Sequence, residues 1–205
     1  MKIVQMLGSV AVAALLVSGC AKPPTEQVAA AEKAVLEAQQ SGATMYAAQD
    51  YAKLEGALAA IKSEVTEQDG KFALLRDYGK AEQLATSTKA DAERVKADAI
   101  KKKEEAKVGA LQAHQVAQDA VKATLDLVAK APVGKDRAAV EAIKSDVEAL
   151  KASLNQVQLA IDKEDYLSAQ TQSKAIQEKS QAVSAEIQNA LAKVGKGKPS
   201  AAKKK

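Results

Sequence analysis

A chain of 205 residues that is 47% apolar but only 2% aromatic, with no Trp and one Phe, lacks the large side chains that fill a thick globular core. Ala, Val, Leu and Ile have to pack instead as thin helix-on-helix seams, and four Pro, at 23, 24, 132 and 199, leave most of the chain open to long helices. The formal charge of +4 invites a nucleic-acid reading, yet five Lys fall in 195–205 and only 24 basic residues face 26 acidic ones between 20 and 194. With no aromatic residues to stack bases beside that tail, a nucleic-acid groove is disfavoured.

The chain opens with Met1-Lys2, a short positive start, and an apolar stretch over 3–17 that is short for a membrane span. Small residues follow, ending Val17-Ser18-Gly19-Cys20, and Cys20 is the only Cys. The pattern predicts a secretory signal over 1–19, and it resembles the lipobox of bacterial lipoproteins. The resemblance implies a diacylated Cys20 thiol, cleavage before it and acylation of the new amino group, which would account for an odd Cys in an exported chain. Several acyl chains make lasting attachment to membrane lipid, at about 0.8 kcal/mol per buried methylene. Ala21, rather than Asp, follows the Cys. By resemblance to lipoproteins of diderm bacteria, that implies the periplasmic face of the outer membrane. Residues 20–25 then form a very short tether, with the folded part starting close to the bilayer.

Thr25 is placed to cap a first helix over roughly 26–41, which Gly42 ends. A second helix carries Ala47, Tyr51, Leu54, Leu58, Ile61, Val65, Gln68, Phe72 and Leu75, a heptad seam with one polar member that runs through Gly56 and Gly70. Arg76-Asp77 is read as the turn. The third predicted helix covers 79–130, a rod of about 78 Å by the helical rise. Its seam is small: Tyr78, Ala81, Ala85, Thr88, Ala92, Val95 and Ala99, then Ala106, Ala110, Ala113, Ala117, Ala120, Thr124 and Leu127. Lys101-Lys102-Lys103-Glu104-Glu105 interrupts the rhythm and reads as a solvated joint. Two lobes are expected on either side of it, 26–100 and 106–194.

Pro132 and Gly134 stop the rod, and Asp136 is placed to cap the next helix. There Val140, Ile143, Val147, Leu150, Leu154, Val157 and Ile161 make a wholly aliphatic seam. Asp162-Lys163-Glu164-Asp165 is a short loop. A last helix answers with Tyr166, Ala169, Ser173, Ile176, Ser180, Val183, Ile187, Ala190 and Val194, so large residues face small ones across an antiparallel hairpin. Residues 195–205 have no period and read as a disordered Lys-rich tail. The expected fold is all-α: an elongated helical bundle, or antiparallel coiled-coil hairpins sharing one long central helix. Ala60-Ile61-Lys62-Ser63-Glu64-Val65 echoes Ala142-Ile143-Lys144-Ser145-Asp146-Val147, and Asp77-Tyr78 echoes Asp165-Tyr166, a weak sign of duplication.

On these residues, with the helix Val28–Gln40 and Tyr46 leading into Leu54–Ile61, the first half resembles a family of alanine-rich bacterial lipoproteins of uncharacterised domain function. The resemblance implies class and address and no activity. A second resemblance, to the murein lipoproteins of enteric bacteria, rests on the lipobox, the apolar heptads and a C-terminal Lys. It implies linkage to peptidoglycan through Lys205, although the residues before that Lys depart from the pattern. The bland reading of the tail is a solubilising end. An ionic contact of Lys196, Lys198, Lys203, Lys204 and Lys205 with wall polymer or anionic lipid is the third reading, worth about 1 kcal/mol per Lys near an anionic membrane surface.

Catalytic chemistry is not expected. His114 is the only His, with no second imidazole or Cys pair to share a metal. No nucleophile, base and orienting group assemble from the pattern. Asp162, Glu164 and Asp165 lack the spacing of a calcium loop and read as helix caps. Gly195-Lys196-Gly197-Lys198 lacks the preceding strand and the Ser/Thr of a phosphate loop. Phe72, Tyr78 and Tyr166 are expected to plug bundle ends or, less simply, to mark a docking tip. No cofactor, metal or small-molecule substrate is anticipated. The reading is a lipid-anchored envelope scaffold or spacer that contacts peptidoglycan or another envelope protein, with a periplasmic holdase-type chaperone as the alternative.

Overall fold

The computed structural model describes residues 22–130 and 137–196, apart from the side chains of 137, 139, 140 and 193–196. The fold is all-α, with six α-helices and no strand among the described residues. They are α1 (Thr25–Gln40), α2 (Ala43–Tyr46), α3 (Ala48–Asp69), α4 (Gly79–Lys130), α5 (Arg137–Asp162) and α6 (Tyr166–Lys196). One 3-10 turn, Ala73–Leu75, lies between α3 and α4. The chain divides into two compact units, with the boundary in α4 between Val95 and Lys96; residues 41–48, including α2, belong to the second unit.

The first unit packs α1, α3 and the start of α4. Ala31, Ile61 and Ala85 form its fully buried centre, flanked by Val28, Leu58, Val65 and Leu84. The α4 seam of this unit is built as its spacing predicts: Tyr78, Ala81, Ala85, Thr88, Ala92 and Val95 are all buried, and the next seam residue, Ala99 of the second unit, is buried as well. Methyl-sized side chains let the helices approach closely, which replaces bulk with contact area. Helix α1 starts differently from the expectation. Thr25 is its first helical residue, and the Pro24 carbonyl accepts from the Val28 N–H at 3.0 Å, so Pro24 holds the capping position.

The second helix also ends sooner than its heptads suggest. Helix α3 stops at Asp69, where the Gly70 N–H reaches back to the Thr66 carbonyl at 3.1 Å and the Lys71 N–H to Gln68 at 3.0 Å. Phe72 and Leu75 therefore leave the seam, and Phe72, Leu74 and Leu75 are 72%, 71% and 71% exposed. Phe72 does not plug the end of the helices, whereas Tyr78 and Tyr166 are buried.

In the second unit Ala110, Ala117 and Val121 of α4 pack with Leu150 and Val157 of α5 and with Tyr166, Ala169 and Ile176 of α6. Among the described seam positions of α5 and α6, Val147, Leu150, Val157, Ser173, Ser180 and Ile187 are buried, whereas Ala190 is exposed. The charged stretch 101–105 is continuous helix and lies inside this unit, whose boundary falls earlier, between Val95 and Lys96. Lys103 keeps the four-three step from Ala99 to Ala106, and its ammonium pairs with Glu164 at 2.5 Å. Helix α6 runs through Lys196 and so takes in the first two residues of the predicted tail.

Candidate functional site

Three places gather polar chemistry or exposed apolar surface. The first is the end of the first unit where the chain enters. Pro23, Pro24 and Thr25 lie in a cleft with Val65 and Thr66 of α3, and one turn further on Lys62 pairs with Glu32 at 2.9 Å. Helices α1 and α3 therefore run antiparallel, and the start of α1 sits beside the end of α3. At that end, the Asp77 N–H donates to Gln68 Oε1 (3.1 Å), Gln68 Nε2 donates to Glu64 Oε1 (2.9 Å), and Lys80 Nζ reaches Glu64 Oε2 at 2.6 Å. The Lys80 contact, followed by the Gln68 bond, holds the Glu64 carboxyl below the ordinary Glu range, against its burial. The Tyr78 hydroxyl donates to the Asp69 carboxylate, which together with burial raises its pKa.

The turn that follows α3 is braced from within. Arg76 Nε donates to the Lys71 carbonyl at 3.0 Å and Nη2 to the Asp69 carbonyl at 2.8 Å. The Leu75 N–H donates to the Phe72 carbonyl at 2.8 Å, closing the 3-10 turn. The Asp69, Lys71 and Phe72 carbonyls are thus bonded, while the Phe72, Leu74 and Leu75 side chains stand in solvent.

The second place is the α5–α6 turn. The Asp165 N–H reaches the Ala160 carbonyl and the Glu164 N–H the Ile161 carbonyl, both at 2.9 Å, with Glu164 at φ 60. This is a helix-ending motif that usually takes Gly at the left-handed position. Here Glu is held at both ends: the Tyr46 hydroxyl donates to its carbonyl at 2.8 Å and Lys103 grips its carboxylate. The Lys103 bond lowers the Glu164 pKa, and Glu164 in turn raises that of Lys103. Asp165 Oδ1 accepts from the Ser168 N–H at 3.2 Å and caps α6, while Asp162 accepts from Gln158 at 2.9 Å. Each carboxylate of the acidic loop thus has a role in the helices. No group of three or more potential metal ligands occurs among the described residues.

The third place is an open groove of about 650 Å³ between α5 and α6, floored by Leu150, Ile176 and Val183 and edged by Asp146 and Lys179. On α4, His114 is buried, with Nε2 at 2.9 Å from Gln118 Nε2 and no partner for Nδ1. Burial lowers its pKa.

Of the residues singled out in the sequence, Cys20, Lys198, Lys203, Lys204 and Lys205 lie outside the described residues, as does the side chain of Lys196. Glu64 and Lys103 carry the two ion-pair nodes and were not read as seam members. Their signal was spacing: Glu64 falls three after Ile61 and four before Gln68, and Lys103 falls four after Ala99. No helix among the described residues is long and apolar enough to cross a membrane. No protein family, curated protein or solved structure matches the chain.

Proposed function

We propose that the protein is a lipid-anchored scaffold or spacer of the bacterial envelope, held by an acylated Cys20 and presenting helix faces to a partner. The observation that carries this reading is the distance between anchor and fold: Cys20 ends a lipobox-like pattern and the first helix begins at Thr25. Two helical units built on tight Ala seams then follow, a construction that supplies surface and spacing. The Lys-rich tail adds a contact for peptidoglycan or anionic lipid, with Lys205 as the point of any covalent link. Replacing Cys20 with Ala should leave an unprocessed or soluble protein, and membrane fractionation of signal-free Cys20→Ala protein would overturn the anchor. Deleting 195–205 should release wall or lipid attachment. High salt should mimic the deletion only for an ionic contact, since screening shortens to about 3 Å at 1 M.

The second reading, a holdase-type chaperone, draws on the α5–α6 groove with its Leu150, Ile176 and Val183 floor. Protection of unfolded clients by the tail-deleted protein, lost when the groove is filled by Ala149→Trp, would favour it.

A further inference from the structure

The first unit places two features at one end that its helical packing does not explain. One is the turn after α3, where Phe72, Leu74 and Leu75 are each more than two-thirds exposed on a loop whose main chain is tied down by Arg76. A loose loop exposes apolar groups because nothing holds them in. This one is braced, since Arg76 takes the Asp69 and Lys71 carbonyls, the Leu75 N–H takes the Phe72 carbonyl and Gln68 takes the Asp77 N–H. The second feature is the entry of the chain: Pro24 is buried, and with Pro23 and Thr25 it lines a cleft with Val65 and Thr66. Thr66 stands only about 5 Å of helical rise from the end of α3 at Asp69. From Cys20 to Pro24 the backbone spans at most about 14 Å.

The geometry points to a membrane-inserting tip: Phe72, Leu74 and Leu75 enter the same lipid leaflet that holds the acylated Cys20. Anchor and apolar turn leave the unit at the same end, so a bilayer within reach of Cys20 is within reach of Phe72. Lys71, whose ammonium pairs with Glu67 at 3.2 Å, and Arg76 bracket the turn, and Lys22 is exposed on the tether. Asp69 and Asp77, the acidic residues next to the turn, are drawn back into hydrogen bonds with the Tyr78 hydroxyl and the Gly79 N–H. Apolar side chains at the acyl boundary with basic residues behind them are the arrangement that binds an anionic interface. A single chain insertion leaves a body free to swivel; a second contact fixes which end of the unit faces the membrane. The inference rests on the lipid-anchor reading.

The chain has no Trp, so Phe72→Trp makes a sole fluorescent reporter on an exposed side chain. Mature acylated protein is reconstituted into phosphatidylethanolamine–phosphatidylglycerol vesicles carrying bromine on the acyl chains. Leu36→Trp is the comparison, since Leu36 is 51% exposed in the same unit but about 16 Å along α1 from Thr25. Blue-shifted emission with strong bromine quenching is expected for Phe72→Trp, and little quenching for Leu36→Trp. Protein that floats with the vesicles but shows no quenching at position 72 overturns the tip and leaves the anchor standing. Protein that does not float with vesicles overturns both. A blue shift without quenching means a second copy or another protein covers the turn, and likewise overturns the lipid assignment.

Discussion

Ser180 offers a mutation that should strengthen the protein by removing a polar group. It is fully buried in α6, and its hydroxyl oxygen has no hydrogen-bond partner. Its main-chain carbonyl does have one: Thr124 Oγ1 donates to it at 3.2 Å. Ser180→Ala deletes the unpaired hydroxyl and leaves that carbonyl in place. Leaving a buried hydroxyl unsatisfied costs about 1–3 kcal/mol, and Ala exceeds Ser in helix propensity by about 0.5 kcal/mol. Against these stands the lost packing of one oxygen, about 0.1–0.2 kcal/mol for each heavy-atom contact. The balance is a stabilisation of about 1–3 kcal/mol, or about 2–4 °C in Tm per kcal/mol for a chain of this size. Ser173→Ala is the comparison, because the Ser173 hydroxyl is buried but donates to the Ala169 carbonyl at 2.7 Å. There a bond worth about 1 kcal/mol is lost for the same propensity gain, so a change near zero or slightly negative is expected. Urea denaturation followed by circular dichroism at the helical band measures both. A Ser180→Ala protein no more stable than Ser173→Ala would refute the reasoning, since the hydroxyl would then have to be partnered.

Leu150→Ala should destabilise by about 2–5 kcal/mol, toward the lower end because Leu150 also borders the open α5–α6 groove; Lys151→Ala, which loses only an exposed pair with Glu148, should change the denaturation midpoint little. Two glycine tests have opposite signs. Gly56→Ala should stabilise by about 1 kcal/mol, because a Cβ there meets nothing within 4 Å, whereas Gly42→Ala should destabilise by about 1–3 kcal/mol, because Gly42 has φ +89 and its Cβ would lie 3.2 Å from the Tyr46 ring. Glu64 and His114 both titrate below their ordinary values, so each contributes stability that is full above its unfolded pKa and lost as pH falls through its folded one. His114 should therefore titrate below 6.5 by NMR, and Glu64→Gln should flatten the acid-unfolding limb below about pH 4.5; a His114 midpoint at or above 6.5, or an unchanged limb, would refute the respective assignment.

Helix α4 was legible in the sequence, Gly79–Lys130, and so was its buried stripe from Tyr78 to Ala99, because a Pro-free stretch with a four-three step of small residues specifies both locally; beyond Ala110 the buried stripe runs instead through His114, Ala117, Val121 and Thr124, and Ala113 and Ala120 are only half-buried. The α5–α6 hairpin was legible for the same reason, down to the Asp162–Asp165 turn. The candidate anchor at Cys20 is a sequence reading altogether. Periodicity, however, reports spacing and not what covers a residue. Phe72 and Leu75 continue the α3 rhythm perfectly well, yet no helix face remains beyond Asp69 to bury them, since the polar bonds of Gln68 and Arg76 turn the chain first. Lys103 is the converse case: a charge amid charges reads as a break in the seam, and only the arrival of Glu164 from 61 residues along the chain lets it hold a half-buried seam position. Tertiary structure decided these points because burial of a charge, and exposure of an aromatic ring, both depend on the partner that long-range packing supplies.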